Sequence, residues 1–506
     1  MRCVPQHCSP RDACGGSRRS VSGLELRGEP LEELPIQGIG NGQRLFSRVQ
    51  PSRLTSERRC GVNVSAVAGV WLVNRLSPFV LVAALVVTYR SMPSAVLWFT
   101  IMTIVAALCA DPDNLRLRSA DLAVALTSAF EICSYVSSQY RANSVGGVAI
   151  VTAACLGYFF VRVTLGELRQ VAAVAGLVGV GGAWLGARGI GQFLERSERL
   201  REAGLPDLIA FRATLMAPPA PWVPGEWFTL VLLTLCFALS FSVYLWLTHG
   251  TLVAVCTLLL PAVLVTTLVL SLSRAAFGSV VLLCCTIPLL MIVYRVIPAR
   301  QGSWILCSLL SALVLLLVCL RSVYPDVISA YTGGHTSQVR SGQGRVEIWE
   351  RSLVLVRAHP VWGVGNSNAG LFLLSTAEQD DTTGFASRTF SLPVEVLVEK
   401  GIAGALLYGT LIFLLCSKFF LFMRASMQRV AELESATTAI RRRANAASVK
   451  ELRAQMGMQC CFAAGVIAVL CRELTYASLM EHAVTLALFA ILAALIVSID
   501  GHEQCA

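Results

Sequence analysis

The chain is 506 residues long, 55% hydrophobic and only 14% charged, with a mean hydropathy of +0.66. These totals exclude a soluble multidomain enzyme. The net charge of +10 does not imply nucleic acid either, because in a chain of long apolar runs Arg and Lys record orientation in the bilayer.

Many apolar windows are about 20 residues long, enough to span a membrane. The alternating short strands of a membrane barrel do not occur. The fold class predicted is an all-α integral membrane protein with about 12 transmembrane helices. Residues 1–62 lack an apolar core and are rich in Arg, Gly, Pro and Ser, so they read as a disordered basic cytoplasmic tail. Residues 63–320 hold spans one to nine. Span three, Ala120–Tyr140, carries Glu131, and span five, Leu168–Leu185, is followed by a polar stretch, Gly186–Gly225. Span seven is Thr251–Leu272 and span eight Ala276–Tyr294. Residues 321–391 form the largest polar loop. Residues 392–500 hold spans ten to twelve and a basic cytoplasmic linker, 424–455. Span ten, Val394–Leu421, is overlong, with a bend expected near Gly401. The run Arg441-Arg442-Arg443 keeps the linker inside, which puts both termini in the cytoplasm and exports the loops at 186–225 and 321–391. The 18 cysteines lie mostly within apolar runs, where they act as small hydrophobes. No metal-ligand spacing appears, and neither metal nor cofactor is expected.

The least repetitive polar run is Gly342–Asn366. Arg345 and Trp349 are one helical turn apart, and Arg345 is within reach of Glu347 and Glu350. His359-Pro360 stops the helix, with His359 expected to cap its last carbonyls, and the turn Gly363-Val364-Gly365 follows. Arg274 stands between spans seven and eight, at the outer end. It reads either as an interfacial anchor or as a functional cation facing an interior cavity. Two guanidiniums at one surface suit a diphosphate. No phosphate-binding lysine loop is present, so no nucleotide is implied. Glu131 is expected to pair with an interior Arg or a backbone group.

Gly344, Arg345 and Trp349, then His359-Pro360, then Gly363-Val364-Gly365-Asn366 resemble the signature of the O-antigen ligase and O-antigen polymerase family. Ser273-Arg274 is similar to that family's Ser-Arg step. Glu399-Lys400-Gly401-Ile402-Ala403-Gly404 resembles its Glu-x-Gly-hydrophobic-x-Gly run. The resemblance implies a GT-C-like membrane glycosyltransferase of the cell envelope, in the cytoplasmic (inner) membrane. Its donor would be an undecaprenyl-diphosphate-linked glycan, and its partner a saccharide or lipid-linked acceptor. The arginines matching the family's pair, Arg274 and Arg345, would hold the donor diphosphate. The sequence departs from the family in one register: a His-Asn pair is expected before the Glu-x-Gly run, and Phe390-Ser391 stands there. Glu395 and His482 are the replacement catalytic candidates; His482 also reads as an ordinary interfacial histidine. His335, Glu399 and Glu481 lie on the same side. Trp349, Arg388, Glu399 and Arg472 complete the expected substrate contacts, with Arg472, Glu473 and His482 as a cluster at the outer face. The alternatives are a lipid-linked glycan flippase or transporter, and a family member that binds donor without turnover.

Overall fold

The computed structural model describes residues 76–81, 83–85, 92–109, 118–138, 140–204, 224–323, 336–376, 389, 391–435, 439–474, 479 and 483–498. Among the described residues every regular element is a helix, and nine helices are long and apolar enough to cross a membrane. The chain is an all-α polytopic membrane protein. The expected tail, residues 1–62, lies outside the described residues.

After a short apolar helix, Leu76–Leu85, the helices are α1 (Met92–Cys109), α2 (Ser119–Ser137), α3 (Arg141–Thr164), α4 (Leu168–Glu202), α5 (Pro224–His249), α6 (Thr251–Thr257) and α7 (Leu259–Leu270). Then follow α8 (Arg274–Val293), α9 (Ala299–Val323), α10 (Thr336–Ala358), α11 (Ala369–Thr376), α12 (Leu392–Glu434), α13 (Ala439–Glu473) and α14 (Ala483–Ser498). Span seven is divided at Leu258. Pro261 lies in the first turn of α7, where its missing N–H costs nothing because the first amides of a helix have no partner.

The centre of the bundle is α5. Its residues Val231, Leu232, Leu233, Cys236, Phe237 and Ala238 are fully buried. Phe237 packs on Phe462 of α13 at a ring distance of 5.9 Å. On the other side α5 meets α4, whose glycines allow close approach: a Cβ on Gly179 would meet the Ala238 backbone at 3.0 Å, and one on Gly182 would overlap Thr234. At the periphery α9 buries only Gly302 and Leu313 and presents an apolar surface suited to lipid.

Two polar stretches are largely helical. The stretch from Gly186 is helical as far as Glu202, making α4 a 35-residue helix. Charged side chains do not end a helix when they point to solvent and pair along it, as Glu195 and Arg199 do at 2.5 Å. The linker 424–455 likewise belongs largely to α12 and α13, which form an antiparallel hairpin. Glu434 and Arg453 pair across it at 2.6 Å, and Asn445 Nδ2 donates to the Leu433 carbonyl at 3.2 Å.

Helix order fixes which ends meet. α7, α8 and α9 run up, down and up through short turns, so Arg274, Val323 and the segment leading to α10 share one end of the bundle. The end of α4 is there too, since Arg201 donates to the Val323 carbonyl at 2.6 Å. The start of α12 and the junction of α2 with α3 complete this end.

Candidate functional site

The loop helix α10 carries a small apolar face of its own. Ile348 and Leu355 are buried with Val364, Leu373 of α11 and Val398 of α12. The spacing of Arg345, Ile348, Trp349, Ser352 and Leu355 puts all five on one side of the helix, toward α12. Arg345 and Trp349 are half-buried there. Glu347 pairs with Arg351 at 2.5 Å, which corrects its expected partnership with Arg345. Residues two apart point to different sides of a helix, whereas four apart they stack.

Trp349 Nε1 donates to the Thr389 carbonyl at 2.7 Å. Thr389 Oγ1 is 3.2 Å from Glu395 Oε2. Thr389 and Ser391 are buried, and the Glu395 amide donates to the Ser391 carbonyl at 2.9 Å, opening the first turn of α12. A hydrogen-bonded path therefore joins Trp349 on the loop helix to Glu395 on the entering span.

The turn after α10 enters a break in α12. Gly401 has φ +63° and ψ −166°, outside the helical region that its neighbours occupy, and a Cβ there would strike the Val361 carbonyl. The bend expected at Gly401 is thus a true interruption. Four backbone hydrogen bonds fill it. Val364 N donates to the Val398 carbonyl and Gly365 N to the Glu399 carbonyl, both at 2.9 Å. Ile402 N donates to the Pro360 carbonyl at 2.8 Å and Ala403 N to the Val361 carbonyl at 3.3 Å. A broken helix is tolerated in a membrane only where other groups re-satisfy the freed backbone. Here the loop does so, and two motifs some forty residues apart become one structure. Gly363 and Gly365 have φ +67° and +95°, which side-chain-bearing residues rarely adopt.

A polar socket from α2 and α3 holds the rest of the turn. Ser144 Oγ donates to the Asn366 carbonyl at 2.8 Å, and Asn368 Nδ2 donates to Ser138 Oγ at 2.7 Å. Trp362 stacks on Phe130 of α2 at 5.7 Å. Beneath the turn, Glu131 is fully buried and pairs with Lys400 Nζ at 2.6 Å. Asn366 Nδ2 and Tyr408 Oη also donate to Glu131, at 2.9 and 2.7 Å. The expected interior arginine is a lysine.

Residues 259–409 match the family model described as O-Antigen ligase. This stretch is similar to an O-antigen ligase domain. It runs from α7 into α12 and takes in Arg274, Arg345, Trp349, Glu395 and the turn seated in the α12 break, while the socket residues Glu131, Ser138 and Ser144 lie outside it. No curated protein matches the chain.

Against this domain, the expected site residues divide. Arg274 is exposed at the first turn of α8, capped by Ser273, whose Oγ accepts from Ala276 N at 3.4 Å. The preceding Leu272 is buried with φ +53°; its left-handed backbone makes the tight reversal that leaves Arg274 at the rim. Glu395 and Trp349 are brought together through Thr389.

Two further residues expected to touch substrate, Glu399 and Arg472, are buried. The Glu399 side chain is buried and accepts from Ala369 N at 3.4 Å, at the start of α11. Arg472 is buried rather than in a surface cluster. It bonds Glu473 at 2.8 Å and Thr229 of α5, and Glu473 also accepts from the Leu479 amide at 3.0 Å. Burial of both charges requires such pairing. The His359 ring lies 6.1 Å from that of Phe372. His335, Arg388, Phe390, Glu481 and His482 lie outside the described residues. Among the described residues no group of three His, Cys, Asp or Glu side chains could hold a metal ion.

Sequence reasoning missed Thr389, Ser138, Ser144, Asn368, Lys400 and Tyr408. One signal was readable: Glu131 inside an apolar span requires a buried partner, and Lys400, within the Glu-Lys-Gly run, is one basic residue whose position suits that role.

Proposed function

We propose that the protein is a membrane glycosyltransferase that transfers or polymerises glycan from an undecaprenyl-diphosphate-linked donor at the outer face of the cytoplasmic membrane. The observation that carries this reading is the Trp349–Thr389–Glu395 path, at the end of the bundle where Arg274 is exposed and Arg345 shares the Trp349 face. In this reading Arg274 and Arg345 hold the donor diphosphate. Guanidinium groups match phosphate oxygens bidentately and offset the charge that grows as the diphosphate leaves. The acceptor hydroxyl attacks the sugar C1 from the face opposite the diphosphate and gives its proton to Glu395. The C1–O bond breaks with its electron pair going to the diphosphate, so configuration inverts. Thr389 orients the carboxylate, and Trp349 keeps the loop helix over it. Since Phe390 occupies the register of the family's histidine, Glu395 is assigned the base.

Purified protein given a polyprenyl-diphosphate oligosaccharide should yield longer or transferred glycan. Replacing either Arg274 or Arg345 with Ala should lower the rate about 100-fold, the scale of losing one preorganised charge-stabilising group. Unchanged product length and rate in both variants would overturn the reading.

A second reading, a lipid-linked glycan flippase, draws on the broken α12 and the buried Glu131–Lys400 pair, features that transporters place near the bilayer midplane. Glu131 stands six residues from the end of the 19-residue α2 and three from its middle, about 5 Å at helical rise, so depth alone does not separate the two readings. Donor movement across vesicles without any change in glycan length would favour the flippase.

A further inference from the structure

The Glu131–Lys400 pair calls for an explanation beyond packing. Both side chains are essentially inaccessible, at 0% and 1%. A buried ion pair is commonly no more stabilising than well-packed apolar residues, because removing two charges from water costs as much as their attraction returns. Here the carboxylate accepts three hydrogen bonds from three places. Lys400 is the residue immediately before the α12 break, Tyr408 lies two turns beyond it, and Asn366 belongs to the turn that fills it. Gly147 of α3 has only a hydrogen facing Asn366, and a Cβ there would overlap the amide. One carboxylate therefore sets the relation between both halves of α12 and the loop turn.

Resting on the glycan-transfer reading, we propose that Glu131 and Lys400 are positioning residues for that reaction. The pair locks the turn into the break and so sets the angle at which α10 presents Arg345 and Trp349 to Glu395. Glu131 is the informative member, since it lies outside the matched domain yet holds three of its residues. Neither side chain touches substrate. A displacement of about 1 Å in such a site costs on the order of 100-fold in rate, so the pair acts on turnover more than on binding.

The test uses the full chain in detergent or nanodiscs, with Glu131→Gln, Lys400→Met, Tyr408→Phe and the exchanged double variant Glu131→Lys with Lys400→Glu. Two readouts are taken. The first is hydrogen exchange in peptides covering residues 360–366 and 398–403, which needs no substrate. Exchange should rise about tenfold in Glu131→Gln and less in Tyr408→Phe, which keeps both charges. The second is transfer from a polyprenyl-diphosphate oligosaccharide, where kcat should fall about 10- to 100-fold in Glu131→Gln with KM changed less than threefold. The exchanged pair should recover part of both losses, which restoring packing alone would not do. If Glu131→Gln and Lys400→Met fail to fold, Tyr408→Phe decides: unchanged exchange and kcat there overturn the proposal. Folded Glu131→Gln with wild-type exchange overturns it too. A wild-type protein that transfers no glycan overturns the function reading instead, and is told apart because the exchange data stand without substrate.

Discussion

The indole N–H of Trp349 makes its hydrogen bond to a backbone carbonyl 40 residues further along the chain. That carbonyl belongs to Thr389, which is 1% exposed, so deleting the donor leaves a buried acceptor without that bond. Such a loss costs roughly 1–3 kcal/mol. Trp349→Phe keeps an aromatic ring on the same face and removes the N–H together with the pyrrole part of the indole. Transfer by this variant should fall about 5- to 20-fold, the rate equivalent of about 1–2 kcal/mol. The protein should remain in the membrane at wild-type amount. Wild-type transfer rates would mean that the Trp349–Thr389–Glu395 path plays no part in turnover. Arg345 and Trp349 were legible as a pair because helical period alone places them on one face. Thr389 was not, because a polar residue in a loop has no period, and only the folded chain shows which carbonyl the indole meets.

At the scale of an element, α4 was half legible. Its apolar first half reads as a span, and its charged second half reads as a loop. Hydropathy measures the preference for lipid, and helicity beyond the bilayer depends instead on local pairing, as Glu195 with Arg199 shows. The glycines carry the packing. Gly181 and Gly182 are adjacent, yet a Cβ on Gly181 meets nothing within 4 Å while one on Gly182 overlaps Thr234. Gly182→Val should therefore push α4 from α5 and cost on the order of 1–3 kcal/mol or more, the usual penalty of overpacking. Gly181→Val, facing outward, should be close to neutral. Thermal unfolding of the two purified variants checks this, and equal midpoints would refute the close contact. The break in α12 was legible as a bend because glycine in a Glu-Lys-Gly run marks a weak point. Its filling by Val364 and Gly365 was not, since backbone partners carry no signature in side-chain identity.

Over the whole molecule, parity decides where chemistry is possible. Each short turn between spans reverses direction, so Glu202, Arg274 and the loop helix gather at one end, and the α12–α13 hairpin at the other. The hydrogen bond from Arg201 to the Val323 carbonyl ties two of these segments directly. The basic run in the hairpin argues that its end stays in the cytoplasm, because Lys and Arg near short connections resist export. The sidedness prediction joins the two. Alkaline phosphatase fused after Glu202 or Glu350 should be active, as it folds only outside the cytoplasm, and fusions after Glu434 should be inactive. A fluorescent reporter that folds only in the cytoplasm should give the reverse pattern. Opposite behaviour of the Glu202 and Glu350 fusions would break the parity and separate Arg274 from Arg345. Concordant activity at Glu434 and Glu350 would mean that α12 does not cross, and the loop helix would then have no fixed membrane surface at which to meet a lipid-linked donor.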